Sequence, residues 1–139
     1  MTADGMRRLI AEEVPLAVAM GVEVDAIGGG KATLRLPRGG PITRPGAMVS
    51  GPSMMAVADM AMYAAILGLD IADKPAVTSN FTMTFLRAAQ PADIVAEAEI
   101  VRMGRRLIYL QTYLYAGDDR VPIAHATATY ARPHAPSAS

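Results

Sequence analysis

The sequence of 139 residues has no cysteine, only two histidines and no net charge, its 13 Lys and Arg being matched by 13 Asp and Glu. Without cysteine there is no disulfide framework, no thiolate nucleophile and no Cys-ligated metal, and two histidines do not build a His cluster. No metal site and no resident cofactor are expected. The balanced charge leaves no basic surplus for tracking phosphates, so nucleic acid is not an expected partner. Charged residues are scarce at 19%, whereas 52% of residues are apolar, which excludes intrinsic disorder and leaves oily surface to bury. Any chemistry must come from oxygen, backbone or cationic groups. The length allows one compact domain, expected over residues 1–132, with PHAPSAS at 133–139 as a flexible tail.

No secretory signal is expected either. The N-terminal MTADGMRRLIAEEV places acidic residues where a secretory signal needs a continuous apolar run, so a cytoplasmic protein is expected. Pro45 to Leu69 carries one charge, Asp59, and is long enough to span a bilayer. However, Ser50-Gly51-Pro52-Ser53 interrupts it, and Asp59 would sit near mid-membrane at a cost of about 2.5–3.5 kcal/mol. The segment therefore reads as a helix buried in protein, and no membrane association is expected.

What is present is clear periodicity. Met6, Leu9, Ile10 and Val14 recur at helical spacing over residues 3 to 14, and Pro15 is expected to stop that helix. Val22 to Ile27 and Ala32 to Leu36 flank Gly28-Gly29-Gly30 as a hairpin. A phosphate cradle would need a helix after the glycines, and a strand follows instead. The Pro- and Gly-rich residues 37 to 47 form a loop. A helix is then predicted from Pro52 to about Leu67, with Ser50 or Gly51 capping it and Gly68 ending it. Four strand-like runs follow, at Val77–Leu86, Ile94–Met103, Leu107–Ala116 and Val121–Ala131. Their short connections predict an antiparallel meander.

This order gives the α+β class, with an antiparallel sheet of about six strands around one apolar helix. A helix apolar on nearly every side needs cover all round, and one sheet covers one side. Apolar residues also lie on both faces of one strand, with Ile108, Leu110 and Leu114 on one and Leu107, Tyr109, Tyr113 and Tyr115 on the other. A homodimer, or a dimer of dimers, is expected.

Several residues have the chemistry for a site. Asp59, a lone carboxylate in an apolar helix, must find partners, shift its pKa or be used; the structural alternative is a bond to backbone or to Tyr63 one turn on. Ser50-Gly51-Pro52 marks a helix N-terminus whose free N–H groups suit a developing oxyanion, or else an ordinary cap. Eight residues of helix separate Gly51 from Asp59 by about 12 Å, so both serve one carbon only if each comes from a different subunit. Five of the ten methionines lie between Met48 and Met62, suited to core filling or to an adaptable apolar pocket. Arg102, Arg105 and Arg106 at a hairpin turn either meet the phosphates of an anionic ligand or are simply solvated. Ser50, His125 and Asp59 lack the nucleophile elbow of a Ser-His-Asp triad.

With PLAVAMGVEVDAIGGGKATLRLP, SGPSMMAVADMAMYAAILG, VTSNFTMTFLRAAQPADIVAEAEIVRMGRR and AHATATYARP, the chain resembles the hotdog-fold acyl-CoA thioesterases, particularly the phenylacetate-pathway thioesterase-like group, over residues 14 to 132. The resemblance implies a curved sheet around a central helix, dimers with interfacial active sites, and a coenzyme A thioester as substrate, with coenzyme A entering only as part of that substrate. Family members commonly open the central helix with His-Gly-Gly and place an acid nine positions after the His. Asp59 matches the acid and Gly51 the first glycine, the expected oxyanion donor, whereas Ser50 stands at the His position and Pro52 at the second glycine. Arg44 falls where related enzymes often have Asn, and Thr78 where some have Ser or Thr near the acid. The resemblance thus implies a thioesterase in which Asp59 of the partner subunit acts as general base or nucleophile. Ser50 and Thr78 would orient substrate or water. Met54 and Met55 would line the acyl chain, and Arg44, Arg102, Arg105 and Arg106 would meet the rest of the substrate. A non-catalytic binder of acyl-CoA or of another small apolar ligand is the alternative.

Overall fold

The computed structural model describes residues 2–39, 49–69, 76–88 and 91–132. Helix α1, Ala3–Glu13, starts where the Thr2 side chain accepts the Gly5 N–H at 3.0 Å, and buries Met6 and Ile10 one turn apart. Pro15 ends α1 but also opens a second, unexpected helix, α2 (Pro15–Met20), which closes on Gly21 in the left-handed region at φ 73°. Proline breaks a helix interior yet suits the first position of the next one, where its missing N–H goes unused.

Strands β1 (Glu23–Gly28) and β2 (Lys31–Leu36) form the expected hairpin. The intervening Gly29 and Gly30 both have positive φ, as a two-residue hairpin turn requires. The central helix α3 spans Gly51–Leu67, one residue earlier than predicted, with the Ser50 Oγ accepting the Ser53 N–H at 3.3 Å. Gly68 ends it without the left-handed twist, at φ −72°. What glycine supplies there is room, because a Cβ would stand 2.6 Å from the Ile27 side chain of β1.

Strands β3 (Val77–Phe85), β4 (Ile94–Met103), β5 (Leu107–Ala116) and β6 (Ala124–Ala131) complete one sheet. Strand β6 begins three residues later than expected, beyond Pro122, which has no N–H to give a ladder. All neighbours are antiparallel, in the order β1-β2-β4-β5-β6-β3. The predicted four-strand meander is therefore wrong at its first step: β3 pairs with β6 at the sheet edge, not with β4. Both sides of β4 are taken, by β2 and β5. Residues 86–93, eight in all, are long enough to pass two strands at about 4.8 Å spacing. The crossover is pinned where the Leu86 and Arg87 N–H groups both donate to the Ile123 carbonyl.

The inner face of this sheet closes on α3. Leu34, Leu36, Ile94, Ile108, Leu110 and Leu114 pack with Val57, Met60, Met62 and Ile66, and Ala58, Ala61, Ala64 and Ala65 are buried in the same core. Part of the cover assigned to a second copy comes from the same chain, since Met6, Ile10, Ala17 and Met20 of α1 and α2 join this core. One stripe of α3 stays at least partly open: Pro52, Met55, Ala56, Asp59 and Tyr63. The outer face of the sheet is mixed, with Leu107, Tyr109 and Tyr113 of β5 exposed among polar pairs. There Arg35 bridges Asp25 and Asp93, and Gln111 connects Glu99 to His125, which lies against Tyr113. His125 thus points away from α3, and the triad dismissed on sequence grounds is absent.

Candidate active site

Asp59 sits on the open stripe of α3 and is half-buried, more accessible than its apolar neighbours imply. Its carboxylate is held by hydroxyls. The Tyr130 hydroxyl, from the end of β6, donates to Asp59 Oδ1 and also lies 3.0 Å from the Asp59 carbonyl. The Thr78 hydroxyl, from the start of β3, donates to the same Oδ1 at 3.2 Å. Tyr63, the partner considered from helical spacing, instead stacks on Tyr130, with ring centroids 6.2 Å apart and planes 14° from parallel. Burial and then the Asp59 carboxylate push the Tyr130 phenol far above its ordinary range, so it remains a donor. Burial, then the charge of Glu13, pushes Tyr63 up as well.

These residues line a cleft of about 260 Å³ whose walls include Glu13, Asp59, Tyr63, Thr78 and Tyr130. Both Val77 of β3 and Leu107 of β5 pair with Ala131, and the Arg132 N–H donates to the Arg106 carbonyl at 2.6 Å. The β4–β5 turn carrying Arg102, Arg105 and Arg106 therefore lies at the same end of the sheet as the cleft. All three arginines are exposed and form no ion pair among the described residues.

Gly51 is elsewhere. It opens α3 about 12 Å along the axis from Asp59, and its N–H has no hydrogen-bond partner among the described residues. A Cβ at Gly51 would lie 3.4 Å from the ring of Phe85, at the opposite end of β3 from Thr78. The Ser50 hydroxyl is engaged in the cap, donating to the Ser53 Oγ at 2.9 Å. Within one chain the structure thus joins Asp59 with Thr78 and keeps Ser50 and Gly51 apart from them. Met55 is 41% exposed, whereas Met54, at 6%, belongs to the core. Arg44 lies outside the described residues.

The family model of the thioesterase superfamily matches residues 46–123, which runs from before α3 to the start of β6. The chain belongs to the thioesterase superfamily. The similar solved structures agree with this. A protein of Silicibacter sp. TM1040, provisionally described as a thioesterase, is 32% identical, with 96% of this chain and 93% of that one covered at a TM-score of 0.87. The PaaI protein of the E. coli phenylacetic acid degradation operon superposes with a TM-score of 0.79 over 95% of this chain and 94% of that one; at 19% identity it shows the fold alone. A Sulfurisphaera tokodaii protein provisionally described as an esterase is 27% identical over 121 residues, 87% of this chain and 90% of its own.

In this thioesterase-superfamily chain the sequence reading missed Tyr130, Glu13 and Phe85, and it considered Tyr63 only as a partner of Asp59. For Tyr130 a signal existed. The inward positions of β6 read Ala124, Ala126, Ala128, Tyr130, so after three alanines one phenol enters the interior, and a buried phenol requires a partner for its hydroxyl. No helix among the described residues is long and apolar enough to cross a membrane.

Proposed function

We propose that this thioesterase-superfamily chain hydrolyses an acyl-CoA thioester at a site shared between two copies, with Gly51 from one subunit and Asp59 from the other. The observation that carries this reading is the separation of two complementary groups. A carboxylate facing a cleft and an N–H at a helix N-terminus, without a partner among the described residues, lie too far apart in one chain to act on one carbon. Strand β3 offers the means to combine them, because it is an edge strand with one side unpaired. An antiparallel β3–β3 pairing about a two-fold axis would bring the Thr78 end of one copy to the Phe85 end of the other, and so Asp59 toward the second copy's Gly51. This pairing would also cover Val77, which is exposed at 64%.

At such a site the thioester carbonyl oxygen accepts the Gly51 N–H, aided by the positive end of the α3 dipole. Asp59 takes a proton from water as the water oxygen bonds to the carbonyl carbon. The tetrahedral intermediate then collapses, the carbon–sulfur bond breaks, and the departing thiolate takes up the proton. In the variant where the carboxylate is the nucleophile, Asp59 attacks the carbonyl carbon, the CoA thiolate leaves and is protonated, and water hydrolyses the resulting mixed anhydride to free the acid and Asp59. Thr78 orients the acid. Met55 lies toward the acyl chain, while Arg102, Arg105 and Arg106, with Arg44, meet the anionic part of coenzyme A.

A thiol-release assay across short-chain, long-chain and aromatic acyl-CoAs tests this reading. Asp59→Asn should lower kcat by at least about a hundredfold while the protein stays folded. Unchanged hydrolysis by Asp59→Asn overturns the assignment. Because Ser50 cannot become cationic and its hydroxyl caps α3, the same assay carries the second reading: saturable acyl-CoA binding without CoA release identifies a binder.

A further inference from the structure

Both hydroxyls that reach the Asp59 carboxylate end on Oδ1, and no hydrogen bond among the described residues reaches Oδ2. They come from two adjacent strands, since Thr78 and Tyr130 are register partners in the β3–β6 ladder. Tyr130 is 2% exposed and its ring is stacked on Tyr63, so its hydroxyl has a fixed origin. Its proton is shared between Oδ1 and the carbonyl of the same residue, which ties the Asp59 side chain to the Asp59 backbone. A carboxylate gripped in this way has one oxygen immobilised and one left over.

The geometry points to Tyr130 as the positioning residue of the site: with Thr78 it anchors Asp59 through Oδ1 and reserves Oδ2 as the oxygen that meets water or substrate. This inference rests on the proposed role of Asp59 and goes beyond it by naming the reacting atom and the residue that selects it. The phenol suits the task because it stays protonated and so can only donate to the carboxylate, never compete with it as a base. Its ring fills the core while only the hydroxyl touches the site.

Tyr130→Phe removes that hydroxyl and keeps the stacked ring. The variant should lose about ten- to a hundredfold in kcat, the scale of a hydrogen bond to a charged group, with KM changed by less than about twofold. Placed in the Asp59→Asn background, the same change should cost nothing further, because a positioning group has no effect once the group it positions is inactive. Thr78→Val, on the edge strand and clear of the core, should show the same kcat-only signature at smaller size, which keeps the test open if Tyr130→Phe folds poorly. A wild-type kcat in both Tyr130→Phe and Thr78→Val, or an undiminished penalty in the Asp59→Asn background, overturns the positioning role and leaves the role of Asp59 standing. Full turnover by Asp59→Asn alone overturns both.

Discussion

Among the described residues Asp59 has two hydroxyls for neighbours and no cation, whereas Glu97, on the outer face of the sheet, has a cation. There Arg120 donates to both oxygens of Glu97, at 2.7 and 3.1 Å, and this pulls the Glu97 carboxyl below its usual range against a smaller opposing effect of burial. A lowered folded-state value means that the pair contributes stability above the unfolded carboxylate range and loses it as pH falls through the folded value. Glu97→Gln should therefore lower the urea midpoint slightly at neutral pH, and the difference from wild type should close in acid. The effect is small because both side chains are largely in water. Residue chemistry of this kind was partly legible: a lone acid in an apolar helix is visible in the letters. Its partner Tyr130, 71 positions away, is not.

Among the elements, α3 shows most plainly how composition becomes packing. Its apolar character runs round most of the cylinder, so periodicity alone does not say which side meets the sheet. The structure answers this: Ala58, Ala61, Ala64 and Ala65 are buried in one core with Ala96 and Ala98 of β4 and Ala124, Ala126 and Ala128 of β6. Ala61 is fully buried, and protein cores are close-packed. Ala61→Leu should cost about 1–3 kcal/mol by forcing the sheet and helix apart, read as a lower denaturant midpoint with an unchanged slope. The strands were legible from alternation to within a few residues. Their order was not, because a link that looks short enough for a hairpin is also long enough for a crossover, and the sequence carries no mark of which edge of the sheet is vacant.

For the whole molecule, the question is whether a site exists in one chain or only in two. Gly51→Val pushes a branched side chain against Phe85 beside the proposed oxyanion donor, and Asp59→Asn removes the proposed base; each alone should be inactive. When the two variants are co-refolded in equal amounts, half of randomly mixed dimers are hybrids, and each hybrid holds one intact Gly51–Asp59 pair. About a quarter of wild-type activity should return if the pair spans two subunits. No recovery in verified hybrids refutes the shared site. Sedimentation of the wild type checks the dimer directly.

The sequence by itself determined most of the helices and strands, though not α2, and it singled out Asp59 and the start of α3 as the candidate groups for chemistry. Those properties are local: they depend on period, capping and turn residues within a few positions. The tertiary structure decided that β3 lies beside β6 at an edge, that Tyr130 and Thr78 converge on one oxygen of Asp59, and that Gly51 lies at the far end of β3. Such facts depend on which distant backbones become neighbours, a choice made by the competition of whole strands for the faces of one helix.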